Sequence, residues 1–326
     1  MEEQLNSLLH QNRKIDEVII CDDGSTDRTV DIVINFIKKH KLEHWNFLVN
    51  EKNKGFIGNF FQAIKMTTGD LIFTCDQDDI WQEDKVKEME RKVQEHPEIQ
   101  TLNTAVRLVD AQGEDLYVKV KRGYSNGNIL HKSVEQGALE QFSFEFLVKS
   151  NISPGCTMCF TKELKEKFLA YEELCIQAKF PHDWFLNVLA SLEEGCYYWN
   201  KAFTKYRIHE ENTIGVETEN VESMTKVKST KELREDIGRF HLERAKFLNE
   251  KLPLNAQNKK YAKSYLKFTE KRYGFLHDLS FRKLCVLYKQ GRIYYNAIGF
   301  KGMVSDLLYG LKVDGLFRNG ESKESN

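Results

Sequence analysis

Short apolar runs alternate with longer stretches of helical spacing through the first 110 residues. Glu2 to His10 has the helical pattern, and Glu17-Val18-Ile19-Ile20-Cys21 reads as a buried strand that runs into two aspartates. Thr26-Asp27 can cap a helix in which Val30, Val33, Ile34 and Ile37 share one apolar face. Trp45 to Val49 predicts a second strand, Ile57 to Met66 a helix, and Asp70 to Cys75 a third strand that again ends in carboxylates. Glu83 to Glu95 is a charged helix stopped before Pro97, and Thr101 to Asp110 a further strand. Strands separated by helical segments predict α/β layers around a mostly parallel sheet. Ligands of such sheets bind outside the carboxyl ends of the strands, and both acidic clusters fall there.

Beyond this repeat the pattern loosens. From Ala111 to about Gln136 the periodicity is weak and predicts a long loop or hairpin. Leu139 to Val148 has helical spacing, Ser153-Pro154-Gly155 breaks the chain, and Cys156 to Phe160 reads as a short strand. Trp184 to Leu192 predicts an amphipathic helix, followed by strands at Tyr197 to Trp199 and Phe203 to Arg207. From about Thr230 strand signals vanish, and the segments 229–250, 257–275, 279–289 and 292–311 read as basic helices. The predicted organisation is a body over residues 1–216, a polar linker over 217–228 and an all-helical region over 229–326.

Composition adds one correction to a first impression. The chain of 326 residues carries 48 Lys+Arg and 49 Asp+Glu, a net charge of −1. Residues 1–220 hold 26 basic and 37 acidic side chains, a balance of −11, and residues 221–326 hold 22 and 12, a balance of +10. The neutrality is the sum of an acidic body and a basic tail, which is information about partners. At 41% hydrophobic and 30% charged the sequence is neither disordered nor an integral membrane protein. No stretch approaches the ~18 apolar residues of a spanning helix. The first residues lack the basic head and apolar core of a signal peptide. Seven cysteines, an odd and scattered count, suit reduced thiols in a cytosol.

Four short segments carry candidate chemistry. In Asp22-Asp23-Gly24-Ser25-Thr26-Asp27, Gly24 permits a tight turn, and the carboxylates can accept from a base or a ribose hydroxyl. Asp27 fits a helix cap, but Asp22 and Asp23 repel one another unless something binds them. Asp76-Gln77-Asp78-Asp79 is a hard-oxygen cluster of the kind that holds Mn2+ or Mg2+ through a few carboxylates and substrate phosphates. Pro181-His182-Asp183-Trp184 opens a helix, where an Asp is either a cap or a functional base. Tyr206-Arg207-Ile208-His209 ends a strand with groups suited to a phosphate and a metal, although surface solvation is the alternative reading of both. Cys156-Thr157-Met158-Cys159 has CxxC spacing, but with no second such pair it reads as structural.

In this order and spacing the four segments resemble the family 2 glycosyltransferases of the GT-A fold, especially bacterial rhamnosyltransferase-like enzymes of polysaccharide assembly. The resemblance runs from about Glu2 to Gly215. It implies a three-layer α/β/α catalytic domain in which Asp22 and Asp23 hold the nucleoside, with Asn53, Gly55 and Asn59 on the next nucleotide-side loop. Asp76 and Asp78 match the DxD motif at the ribose and the metal-bound diphosphate, with Asp79 beside it as a further metal candidate. Asp183 matches the catalytic base, His182 an orienting neighbour, Arg207 a phosphate contact and His209 a metal or diphosphate contact. The implied reaction is metal-dependent transfer, with inversion, from a UDP- or dTDP-sugar such as dTDP-rhamnose. The implied acceptor is a saccharide or lipid-linked saccharide, in capsule or O-antigen biosynthesis.

One departure stands out. Family members usually begin with an apolar strand, whereas here Met1 leads directly into the helix that normally follows it. That points to a late start codon or a truncated reading frame, and keeps a non-catalytic nucleotide-sugar-binding protein in play. A sugar nucleotidyltransferase is the other alternative, though its Gly-rich phosphate loop is absent. Residues 251–320 carry 14 Lys+Arg and 4 Asp+Glu interleaved with aromatics. This predicts docking on an anionic membrane surface, against a plain helical subdomain with an aromatic core; nucleic acid is the least favoured partner. The expected location is cytoplasmic, peripheral on the inner face of the plasma membrane.

Overall fold

The structure, a computed structural model, describes residues 1–208 and 230–311. The chain divides into two compact units, Met1–Thr225 and Lys226–Asn326. His209 lies outside the described residues.

The first unit contains, in order, α1 (Glu2–Leu9), β1 (Val18–Asp22), α2 (Thr29–His40), β2 (Trp45–Val49), α3 (Gly55–Met66), β3 (Leu71–Phe73) and β4 (Ile80–Trp81). It continues through α4 (Lys85–Glu95), β5 (Thr101–Val109), β6 (Leu139–Gln141), α5 (Phe144–Leu147), β7 (Cys159–Thr161), α6 (Lys162–Leu169), α7 (Glu172–Gln177), α8 (His182–Ser191) and β8 (Cys196–Arg207). The strands form two sheets. β1 and β2 pair in parallel, with Val18 opposite Trp45. The other sheet has the order β3-β7-β5-β8-β4, with β6 also on β8.

The expectation of a mostly parallel sheet needs correcting. In the larger sheet only β5 and β8 run parallel, and the other four pairings are antiparallel. Apolar runs report burial but not direction. Direction comes from the connections, and parallel neighbours need a long crossover, usually helical. Between β5 and β6 the chain forms no helix or strand, in keeping with the loop expected over 111–136.

Helices cover the sheets in two groups. Leu5 and Leu8 of α1, Val33 and Phe36 of α2 and Val86 of α4 share one apolar cluster with Trp45 and Trp81. Phe36 turns inward there, whereas Ile34, expected on the apolar face, is exposed. In the other group Phe61 of α3 stacks on Phe168 of α6 at 4.1 Å, and Phe168 meets Phe185 of α8. Truncating one such buried ring to Ala costs about 3–5 kcal/mol.

Three local readings change. Leu139–Val148 is a short strand followed by a single helical turn. The two strands expected after Tyr197 are one continuous β8, bulged against β5 near Ala105. The predicted amphipathic helix is wholly buried: all ten residues of α8 are buried.

The second unit consists of α9 (Thr230–Lys251), α10 (Ala256–Asp278), α11 (Phe281–Tyr288) and α12 (Arg292–Gly310). Asn255 caps α10 by accepting from the Asn258 amide at 2.8 Å, and Gly299 kinks α12 at φ +68°. Tyr265, Phe268, Phe275 and Tyr294 are buried and form core, so much of the tail's aromatic content is packing. Asp306, fully buried, accepts from Arg272 at 3.0 and 3.2 Å and from the Tyr294 hydroxyl at 2.9 Å. Arg234 lies 3.6 Å from the same carboxylate. Among the described residues no helix is long and apolar enough to cross a membrane.

Candidate active site

The first acidic loop is built by its own backbone. β1 ends at Asp22, whose Oδ2 accepts from the amides of Gly24 at 3.0 Å and Ser25 at 2.9 Å. This turn needs Gly24 at φ +91°, a left-handed conformation that glycine adopts without strain. Asp23 Oδ1 accepts from Asn50 and from the Lys54 amide, both at 2.8 Å. Asn53 donates to the Asp23 carbonyl, and its Oδ1 accepts from the Gly55 amide. Asn59 donates to the Cys21 carbonyl and accepts from Asn50. Asn53, Gly55 and Asn59, expected on the nucleotide side, thus brace the loop that carries Asp23. Asp27 accepts from the Thr29 amide at the start of α2, but the N-cap position is held by Arg28, without a side-chain cap bond.

The second acidic loop follows β3 and is short of compensation. Asp76, Asp79 and Cys156 bring one potential ligand atom each within 4.8 Å of one another. Asp79 is 1% exposed; its Oδ1 accepts from the Arg207 amide at 3.1 Å, while its Oδ2 has no hydrogen-bond partner. Burial, then the charges of Asp79, Asp78 and Asp183, push the Asp76 carboxyl up to about 7. Burial also raises Asp79 to about 6, partly offset by hydrogen bonds from the Cys156 thiol and the Arg207 amide. Desolvation holds Cys156 as a neutral thiol. Asp78 is half-buried beside the cluster and adds its charge to both neighbours.

A lysine lies buried behind these carboxylates. Lys85, fully buried at the start of α4, donates to the Cys156 carbonyl at 2.6 Å and to Thr204 Oγ1 at 2.9 Å. It also sits 3.9 Å over the Trp81 ring. Desolvation lowers its pKa to about 8. The sequence reading missed this residue, because a lysine in a highly charged helix looks like part of a solvated face.

Asp183 stands in the first turn of α8, buried, and its Oδ2 accepts from Asn151 at 2.8 Å. Asn151 in turn accepts from Asn187 at 3.0 Å, and Asn187 and Asn103 exchange two hydrogen bonds. A buried chain of amides therefore fixes the carboxylate from behind. His182 stacks on Phe60 at 3.7 Å, and neither ring nitrogen has a hydrogen-bond partner. Burial drops its pKa to about 3, so it stays neutral. A Cβ on Gly155 would come within 3.2 Å of both His182 and Asp183. Without a side chain at residue 155, the turn Gly155–Thr157 passes both without crowding them.

Arg207, expected at a phosphate, is turned to the protein instead. Its guanidinium donates to the carbonyls of Asp78, Asp110 and Ala111 and to Glu3. It ties the second acidic loop to the end of β5 and to α1.

A divalent cation fits the second loop by the nature of its donors. The buried Oδ2 of Asp79 lacks a partner, and three neighbouring carboxylates repel one another. Oxygen ligands of this kind suit Mg2+ and Mn2+.

Comparison with known proteins points the same way. The sequence profile of the family described as "Glycosyl transferase family 2" matches residues 1–160. The dTDP-rhamnosyl transferase RfbG of Shigella flexneri is 30% identical over 223 residues, covering 66% of this chain and 70% of that protein. The UDP-Glc:alpha-D-GlcNAc-diphosphoundecaprenol beta-1,3-glucosyltransferase WfaP of Escherichia coli is 40% identical over 82 residues, 25% of this chain and 31% of its own. Among solved structures, S. aureus TarS 1-349 in complex with UDP has a TM-score of 0.51 at 17% identity, over 100% of this chain and 89% of that one. At that identity the likeness is one of fold.

Proposed function

The chain belongs to glycosyl transferase family 2 and has the GT-A fold, and from that premise we propose that it transfers a sugar from a UDP- or dTDP-sugar to a saccharide acceptor with inversion. The observation that carries this reading is the under-compensated Asp76–Asp79 cluster within electrostatic reach of Asp183. A carboxylate cluster suited to a cation and a buried, braced carboxylate are the two groups that displacement of a nucleoside diphosphate requires.

In this mechanism Asp22 and Asp23 hold the nucleoside at the end of β1. Asp76, Asp78 and Asp79 would hold the cation, with His209 a further candidate ligand; a divalent cation bound there would supply positive charge against the charge developing on the diphosphate. Asp183, fixed by Asn151, accepts the proton of the acceptor hydroxyl as that oxygen attacks the anomeric carbon. One displacement with one base inverts the centre. His182, neutral and stacked, closes the apolar wall beside the base and excludes water.

The likeness to RfbG makes dTDP-rhamnose the first donor to test and polysaccharide assembly the expected setting. The experiment is turnover with dTDP-rhamnose and UDP-glucose in Mn2+, with the product's anomeric configuration read by NMR. Asp183→Asn run in parallel should slow transfer by about 10²–10⁴-fold while leaving donor binding intact. Retention of configuration, or full activity of Asp183→Asn, overturns the mechanism. Pyrophosphate release would instead indicate a nucleotidyltransferase.

A specific observation favours a membrane-linked acceptor. Phe281 and Phe300 are 62% and 69% exposed on helices that also carry Arg282, Lys283, Arg292 and Lys301. Aromatics beside basic side chains suit the surface of an anionic bilayer, on the cytoplasmic leaflet where lipid-linked saccharides are built. Binding to vesicles containing phosphatidylserine should weaken with salt and fall in a Phe281→Ser/Phe300→Ser variant. Binding that ignores both excludes this docking.

A further inference from the structure

The fold splits the CxxC segment. Cys159, at the start of β7, packs with Met89, Ile99 and Leu102, whereas Cys156 packs with Val106, Leu108 and Tyr206. Both are buried free thiols. Cys156 is the one that reaches the second acidic loop, where its sulfur and one carboxylate oxygen each from Asp76 and Asp79 lie within 4.8 Å of one another.

The backbone fixes this thiol in place. Each carbonyl of the turn Gly155–Thr157 accepts from a side chain on a different part of the fold. Thr74, just after β3, donates to that of Gly155 at 2.7 Å. Lys85 of α4 donates to that of Cys156 at 2.6 Å, and Thr104 of β5 to that of Thr157 at 3.1 Å. Thr74 stands two residues before Asp76, so the turn and the acidic loop are fastened together at their bases. A donor presented on so constrained a turn loses little freedom when it takes a ligand.

Two carboxylates and a thiol differ in kind from an all-oxygen set. Around a tetrahedral Zn2+ such ligand atoms stand about 3.5 Å apart. A group already within 4.8 Å is close to that spacing. Asp79 Oδ2, buried and without a hydrogen-bond partner, is the oxygen that gains most from a cation. Two carboxylates and a thiolate around a divalent ion leave one negative charge, and the charge of Lys85, which acts on all three groups, offsets it. Mn2+ is the weakest binder among first-row divalent ions at a given site, and a thiolate ligand favours Zn2+ further.

We propose that Cys156 is a sulfur ligand of the second acidic loop, engaged by thiophilic cations: Zn2+ binds Asp76, Asp79 and the Cys156 thiolate, the thiol proton passing to water as the metal–sulfur bond forms. Zn2+ held in this way displaces the Mn2+ or Mg2+ of the proposed function and, on that reading, stops transfer. The binding itself does not rest on that reading.

The test needs no glycosyl transfer. X-ray absorption at the zinc edge, on the full chain with equimolar Zn2+, should show one sulfur at about 2.3 Å and oxygens at about 2.0–2.2 Å. Cys156→Ser should lose the sulfur and bind Zn2+ about tenfold or more weakly, while Cys159→Ser keeps both. Thermal melts establish that each variant is folded. Free Mn2+, read by electron paramagnetic resonance, should rise as Zn2+ is added, and Cys156→Ser should need about tenfold more Zn2+ for the same release. A shell without sulfur in the unsubstituted chain, or one with more than one sulfur, overturns the proposal without recourse to any variant. A sulfur that survives Cys156→Ser, or equal release of Mn2+ from both proteins, overturns it as well. A single sulfur lost with Cys156 sustains it even where no metal supports transfer, the result that would remove the proposed function instead.

Discussion

Two buried carboxylate sites, one in each unit, are treated in opposite ways. Asp306 in the helical unit is met by Arg272, Arg234 and the Tyr294 hydroxyl, a set that satisfies both of its oxygens. Asp79 in the α/β unit has one oxygen bonded and one without a partner, and its neighbours Asp76 and Asp78 carry the same charge. Lys85, whose charge acts on it, spends its hydrogen bonds on Cys156 and Thr204. A compensated buried charge serves the fold; an uncompensated one is strain that a ligand can relieve. On the proposed function, the contrast marks Asp306 as scaffold and Asp79 as site.

The largest effect expected from this contrast is at Asp183. Asp183→Asn keeps the contact to Asn151 within reach but loses the base, and kcat should fall about 10²–10⁴-fold with donor affinity held, as measured by steady-state kinetics and calorimetry. Next, Asp306→Ala leaves two arginines facing a void and should cost about 3–5 kcal/mol in denaturant unfolding. A loss below about 1 kcal/mol would show that the ion set is incidental and would end the comparison.

Asp79→Asn should do the reverse of Asp306→Ala. Removing a buried like charge should stabilise the metal-free protein by about 1–2 kcal/mol while cancelling the rise in Tm produced by Mn2+. The smallest effect is a pH slope. Asp76 and Asp79 are raised above their ordinary carboxylate range, to about 7 and about 6, so the native state binds more protons than the unfolded chain. Their contribution to stability is full near pH 4 and is lost as pH rises through those two values. Metal-free Tm should decline across that window, and Asp76→Asn/Asp79→Asn should flatten the decline.

The parts of this molecule visible in its sequence are those where one local pattern decides the outcome. Carboxylates at the ends of apolar runs located both acidic loops, and helical periodicity located the four C-terminal helices within a few residues. What stayed hidden depends on distant partners. Asp183, Asn187 and Ser191 recur every four residues and look like the wet face of an amphipathic helix, yet that stripe points inward to Asn151 and Asn103. Lys85 is indistinguishable by local pattern from its solvated neighbour Lys87. Arg207 had the right chemistry for a phosphate, but the return of β8 beside β4 sets its guanidinium on three carbonyls. Strand direction in the larger sheet was equally out of reach, since no residue pattern encodes it.

The raised pKa values of the second loop have a thermodynamic corollary. Near neutrality the Asp76–Asp79 pair is partly protonated. On the proposed function, each divalent cation that docks there displaces hydrogen ions into the medium. The loop is then an ion exchanger. Its binding heat should change with the ionisation enthalpy of the buffer, and its apparent metal affinity should climb as the solution becomes more alkaline.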